Sequence, residues 1–97
     1  MIYEWDPRKA SLNERKHRVS FEEAATVFLD PFALTFDDPD HSIDERRFIT
    51  LGESERGRVL FVAHADIGEN RTRIFSARKV TRRERYGYQE AHRANRG

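Results

Sequence analysis

A chain of 97 residues with 18 Lys/Arg against 17 Asp/Glu, a net charge of +1 and no cysteine sets narrow bounds on what it can be. One domain spanning residues 1–97 fits that length, and neither a disulfide framework nor a cysteine-ligated zinc can reinforce it. No apolar run reaches the about 20 residues that a membrane helix needs, and the N-terminal MIYEWDPRK lacks a signal-peptide core, so a cytoplasmic protein with no membrane attachment is expected.

In chain order, Ile2 to Trp5 reads as a short strand. Asp6 then caps a helix that opens with Pro7, where the missing N–H costs nothing, and that runs to Lys16 or His17 with Ala10 and Leu12 turned inward. Ser20-Phe21-Glu22-Glu23 is a capping box: the Ser20 hydroxyl meets the Glu23 N–H, and the Glu23 carboxylate can reach back to the Ser20 N–H. Phe21, Ala24, Ala25 and Phe28 give the second helix an apolar stripe, and Asp30-Pro31 ends it.

The apolar period then drops to two. Strands are expected over Phe32–Phe36, Arg46–Leu51, Val59–Ala65 and Arg71–Ala77, with turns at Asp37–Asp40, Gly52–Gly57 and Asp66–Asn70. Thr81-Arg82-Arg83-Glu84 is a second capping box, opening a C-terminal helix, with a loose tail after about residue 90. The fold class is therefore α+β: an antiparallel sheet packed by two N-terminal helices and a C-terminal helix, with the helices on one face and the other face open. Trp5, Phe21, Phe28, Phe32, Phe48, Phe61 and Phe75 read as core.

Charge is unevenly spread. From Arg71 onward nine Lys/Arg face only Glu84 and Glu90, whereas the preceding residues hold nine bases and fifteen acids. A basic end on an acidic body suits a polyanion, although a solvated helix face has the same composition. The acidic run Asp37, Asp38, Asp40, His41, Asp44, Glu45 lacks the glycine of a calcium loop and reads as solvated. No glycine pattern for nucleotide phosphates is present, so no cofactor is expected.

Three blocks, in consistent order from about Tyr3 to Glu90, carry a family resemblance. They are Asn13-x-x-Lys16-His17-x-Val19-Ser20-Phe21-Glu22-Glu23-Ala24 with Phe28 and Asp30-Pro31; Glu45-Arg46-Arg47 with Gly52; and Arg73 to Lys79 with Thr81 to Arg85. Together they resemble the BrnT toxins. The resemblance implies a RelE-like fold, ribonuclease activity that arrests translation, and a BrnA-type antitoxin partner in a toxin–antitoxin hetero-oligomer. Members usually carry Gly after the Lys-His pair, where this chain has Arg18, and His64-Ala65-Asp66 stands where a tyrosine- or arginine-bearing stretch is usual.

Metal-free cleavage of RNA needs a base for the ribose 2′-OH, cations for the charged phosphorane and an acid for the leaving oxygen. On this reading Arg73, Arg78 and Lys79 supply the cations and His64 a proton-transfer group tuned by Asp66, while Arg82, Arg83, Tyr86 and Lys16 hold the RNA strand. His17 is a second histidine candidate, although a histidine at a helix C-terminus is already explained by the dipole. Solvated edge charge accounts equally for the arginines taken alone, and half-burial in a strand for His64. A non-catalytic nucleic-acid-binding module and a protein-interaction domain are the alternative readings of the same basic end.

Overall fold

The computed structural model describes residues 1–41 and 45–96. Its elements run β1 (Ile2–Glu4), α1 (Pro7–His17), α2 (Phe21–Ala25), a 3-10 turn (Thr26–Leu29), β2 (Leu34–Asp37), a second 3-10 turn (Pro39–His41), β3 (Arg47–Glu53), β4 (Val59–Ile67), β5 (Arg71–Lys79) and α3 (Arg82–Arg96). The acidic loop expected around Asp44 lies partly outside the described residues. Residues beyond 90 continue α3 to Arg96 rather than leaving it as a tail.

The caps form as their chemistry dictates. Asp6 accepts from the Arg8 N–H at 2.8 Å, and Ser20 from the Glu23 N–H at 3.0 Å. The second half of the Ser20 box does not form, because the Glu23 carboxylate turns inward to Ser54 (2.6 Å) and to Nε of Arg58 (2.9 Å). Glu23 is 3% exposed, and an ionised carboxylate at that depth needs a cation more than a helix cap does. Leu12, expected inside, is on the outer side of α1; Asn13 takes the inward place.

The five strands lie in the order β1-β5-β4-β3-β2. β2 to β5 form the antiparallel meander, but β1 joins the edge parallel to β5, with Ile2 opposite Arg71 and Glu4 opposite Arg73, so the sheet is mixed. β1 stops at Glu4, and the rest of that β5 edge is met by a side chain. Asn13 of α1 donates to the Ala77 carbonyl (2.8 Å) and accepts from the Ala77 N–H (3.1 Å), pairing with the backbone as a strand would.

Two cores result, one on each face. On the first, α1, α2 and the 3-10 turn bury Val19, Phe21, Ala24, Val27, Leu60, Val62, Ile74 and Ala77. Gly52 admits this packing: a Cβ there would sit 3.0 Å from both the Val27 side chain and its carbonyl. On the second, Tyr88 of α3 covers Leu51 and Val59, with Phe32, Ile49, Phe61 and Val80 around them. The helices therefore do not share one face. α3 is fastened there by the Tyr88 hydroxyl, which donates to the Asp30 carboxylate, and by His92 stacked on Phe32 with ring centroids 3.9 Å apart. Phe32 thus serves this second core rather than β2.

Candidate functional site

A β-bulge decides which side chains meet. Ala63 pairs with Ser76 and His64 with Ile74, so Phe75 is an extra residue without a partner opposite. Strict alternation would place Arg73 and Arg78, five residues apart, on opposite faces. The extra residue cancels that parity: Arg73 lies beside Ala65 and Arg78 beside Phe61, both on the face away from α1 and α2. Ser76 lies between them on the same face, and Lys79, opposite Leu60, falls on the other.

This face mixes guanidinium groups with aromatic rings. Arg78 stacks on Phe61 and Arg47 on Phe75, each 3.9 Å from the ring centroid, and Lys9 reaches Phe75 at 5.6 Å around the β1 edge. A cleft beside it is lined by Glu4, Trp5, Asp6, Lys9, Arg73, Ile74 and Phe75.

Both arginines are held by carboxylates. Arg73 donates through Nε to Glu4 (2.8 Å), and Arg71 pairs with the same Glu4 (3.0 Å). Arg78 makes a two-pronged contact with Glu84, both bonds at 2.9 Å, and also donates to the Lys79 carbonyl at 3.2 Å. Glu84 simultaneously completes the Thr81 capping box, accepting from the Thr81 N–H at 2.8 Å while Thr81 accepts from the Glu84 N–H at 3.2 Å. The Arg78 contact, followed by the Thr81 N–H, outweighs burial and lowers the Glu84 pKa, so the carboxylate stays charged and Arg78 stays aimed. A guanidinium carries five N–H donors; these contacts use three on Arg78, leaving others for a phosphate.

His64 belongs elsewhere. It is 2% exposed on the α1/α2 face, edge-on to Phe28 and stacked near Phe48. Its Nδ1 lies 3.1 Å from Asp66, and its Nε2 lies 2.8 Å from the Thr50 hydroxyl, which is in turn 2.7 Å from the Thr35 hydroxyl. Burial pushes its pKa down, and the Asp66 carboxylate restores only part of the loss. A proton-transfer group must reach substrate, and this imidazole is enclosed on the face opposite Arg78. The histidine expected as acid or base is therefore a core residue with satisfied hydrogen bonds.

The remaining expected RNA-holding residues divide. Arg82, Arg83 and Tyr86 are exposed in the first turns of α3, Tyr86 at 65%, leaving the packing role to Tyr88. Lys16 is exposed in the last turn of α1, whose final residue is His17. Among the described residues no three His, Asp or Glu side chains gather into a metal-holding group. Asn13 was visible only as part of a family block and Glu23 only there and as half of a capping box; the inward contacts of both have no local signal.

Residues 5–84 match the family described as the ribonuclease toxin BrnT of type II toxin–antitoxin systems. The chain belongs to the BrnT family. It is therefore a ribonuclease toxin of a type II toxin–antitoxin system, a class defined by its antitoxin partner. Its fold matches the crystal structure of the Brucella abortus ribonuclease toxin BrnT with a TM-score of 0.65, at 20% identity over 84% of this chain and 100% of that one. No curated protein sequence matches it. The BrnT match ends at Glu84, the residue that fixes Arg78, so the α3 residues that fasten the helix, Tyr88 and His92, lie beyond it.

Proposed function

We propose that this BrnT-family chain is an endoribonuclease that breaks a phosphodiester held between Arg73 and Arg78 on the β5 face, without a resident metal. The observation that carries this reading is that the bulge at Phe75 sets both arginines on one accessible face, each oriented by a carboxylate, with Ser76 between them. Fixed guanidinium groups stabilise charge that develops on a phosphorane because they need no reorganisation when it forms. Arg82, Arg83 and Tyr86 at the start of α3 extend the strand-binding surface, with Tyr86 offering a ring for a base to stack on. The activity arrests translation in the cytoplasm. A BrnA-type antitoxin neutralises it in a hetero-oligomer by covering this face. No helix among the described residues is long and apolar enough to cross a membrane.

The test is turnover by purified, partner-free protein in the presence of a chelator. Expected products are a 2′,3′-cyclic phosphate and a free 5′-hydroxyl, with a 2′-O-methyl substrate left uncut. Intact RNA after prolonged incubation would refute the reading. Cleavage that vanished with chelator and returned with a divalent ion would refute its metal-free part.

A further inference from the structure

Arg18 is the one non-glycine residue with positive φ among those described, at φ 59° and ψ 33°. It ends α1 in the left-handed conformation that glycine adopts without strain. Its backbone is fully used there: the N–H donates to the Glu14 carbonyl at 2.9 Å and the carbonyl accepts from Arg58 at 3.0 Å. None of these contacts needs a side chain. The chain nevertheless places an arginine at this strained position, and its side chain lines a cleft.

That cleft lies between the C-terminal end of α1 and the β3–β4 turn, lined by Glu14, Arg15, Arg18, Ser20 and Arg56. Three arginines face one acid. Glu23, the carboxylate that Arg56 reaches, is withdrawn: it is 3% exposed and bound by Arg58 and Ser54. Arg56 makes only a loose 3.7 Å pair with it, and its side chain is 68% exposed. Arg15 and Arg18 make no side-chain ion pair among the described residues. On the β5 face Arg71 and Arg73 share Glu4 and Arg78 holds Glu84, whereas Arg15 and Arg18 in this cleft have no such carboxylate among the described residues.

The cleft lies on the α1 side of the sheet, at the end of β5 that carries Arg78 on the other side. Asn13 ties α1 to Ala77, so the last turn of α1 sits against the end of β5, and Val80 bonds to Val59, next to Arg58. Lys79 faces the α1 side from the strand that carries Arg78 on the other.

We infer that the cleft of Arg15, Arg18 and Arg56 is a second RNA site. It grips backbone phosphates of the strand as the strand passes from the β5 face around this end of the sheet. The inference rests on the RNA-cleaving reading, but it concerns affinity for long strands rather than bond breaking. Forked guanidinium groups and the Ser20 hydroxyl supply donors suited to phosphate oxygens and carry no base preference.

The test is fluorescence anisotropy with an uncleavable 2′-O-methyl dodecanucleotide and a trinucleotide too short to leave the β5 face, across a salt series. Arg18→Gly relieves backbone strain, so folding is not at issue. It is expected to weaken dodecanucleotide binding roughly tenfold, one charge-assisted contact, and to reduce the salt slope by about 0.7. Arg15→Ala should do the same, with the trinucleotide unaffected by either. Unchanged dodecanucleotide affinity in both variants would overturn the inference, as would equal losses for the two RNAs. If wild-type protein cleaves nothing yet both variants lose only long-strand binding, the cleavage reading falls and this site stands. If wild-type protein cleaves and the variants bind as tightly as it does, this site falls and the cleavage reading stands.

Discussion

Asn13 and Ala77, 64 residues apart, are joined edge to edge by two hydrogen bonds, with the same Asn13 amide also donating to the Val19 carbonyl at 3.0 Å. One side chain thus satisfies three buried backbone groups where β1 has already ended. Asn13→Ala would leave all three without partners and is expected to destabilise the fold by about 3 kcal/mol. Asn13→Asp, which keeps the acceptor but sets a carboxylate oxygen against the Val19 and Ala77 carbonyls, should be at least as destabilising at neutral pH. Urea denaturation midpoints read both.

At Arg18 the strain argument gives the opposite sign. Arg18→Gly should stabilise the protein by about 1 kcal/mol, the cost of a side chain in the left-handed region less the extra chain entropy of glycine. Arg18→Ala retains the strain and should gain nothing. Thermal melting of the pair decides it: equal melting temperatures would show that φ 59° carries no penalty here.

Acidification should weaken the fold from near neutrality downward. His64 has a folded pKa below its unfolded value, so it folds neutral; its contribution is present above about pH 6.5 and is lost as pH falls toward the folded pKa. Glu23 is held low by the Arg58 contact, which outweighs burial. At Asp30 burial acts upward, but the Glu53 N–H, the Tyr88 hydroxyl and the Phe32 N–H together bring the pKa down. Both carboxylates therefore add a second loss in the acidic range. His64→Gln should remove the first loss and leave the second. Melting temperature measured from pH 8 to pH 3 would show one phase instead of two, and an unaltered profile would contradict the buried-neutral assignment.

The Arg78–Glu84 pair separates charge from aim. Arg78→Ala should lower kcat on RNA by about 100-fold or more, the usual loss on removing a donor that stabilises developing charge. Glu84→Gln keeps the cation but loosens it and should cost about tenfold. Arg78→Lys should not restore activity, because an ammonium cannot match the two-pronged geometry. Wild-type rates in Arg78→Ala, with folding intact, would remove this residue from the proposed chemistry.

The sequence was informative where structure is local. Asp6-Pro7, Ser20 and Thr81 announced three helix starts, and the period-two runs located the meander to within two residues at most ends. Long-range pairing was not visible: nothing in Ile2–Glu4 shows that it lies parallel to a strand nearly 70 residues later. Face assignment failed for a related reason. The sequence grouped Arg73, Arg78 and Lys79 as neighbours, and strict alternation would have paired Arg73 with Lys79. The bulge reverses that, and no residue in Ile74-Phe75-Ser76 signals it. His64 looked like a reagent because its type suits the chemistry, but its burial depends on Phe28 and Phe48 from other elements.

The unpaired Phe75 gives β5 one residue that it can lose without moving its neighbours to the other face. Deleting any single residue between Ile74 and Ala77 would remove the surplus and restore uniform zigzag pairing. Ala77 and Arg78 would keep Val62 and Phe61 opposite them, so Arg78 would stay on the face of Arg73 and Ala77 within reach of Asn13. A one-codon loss here should therefore cost little more than the Arg47 and Lys9 contacts of the Phe75 ring.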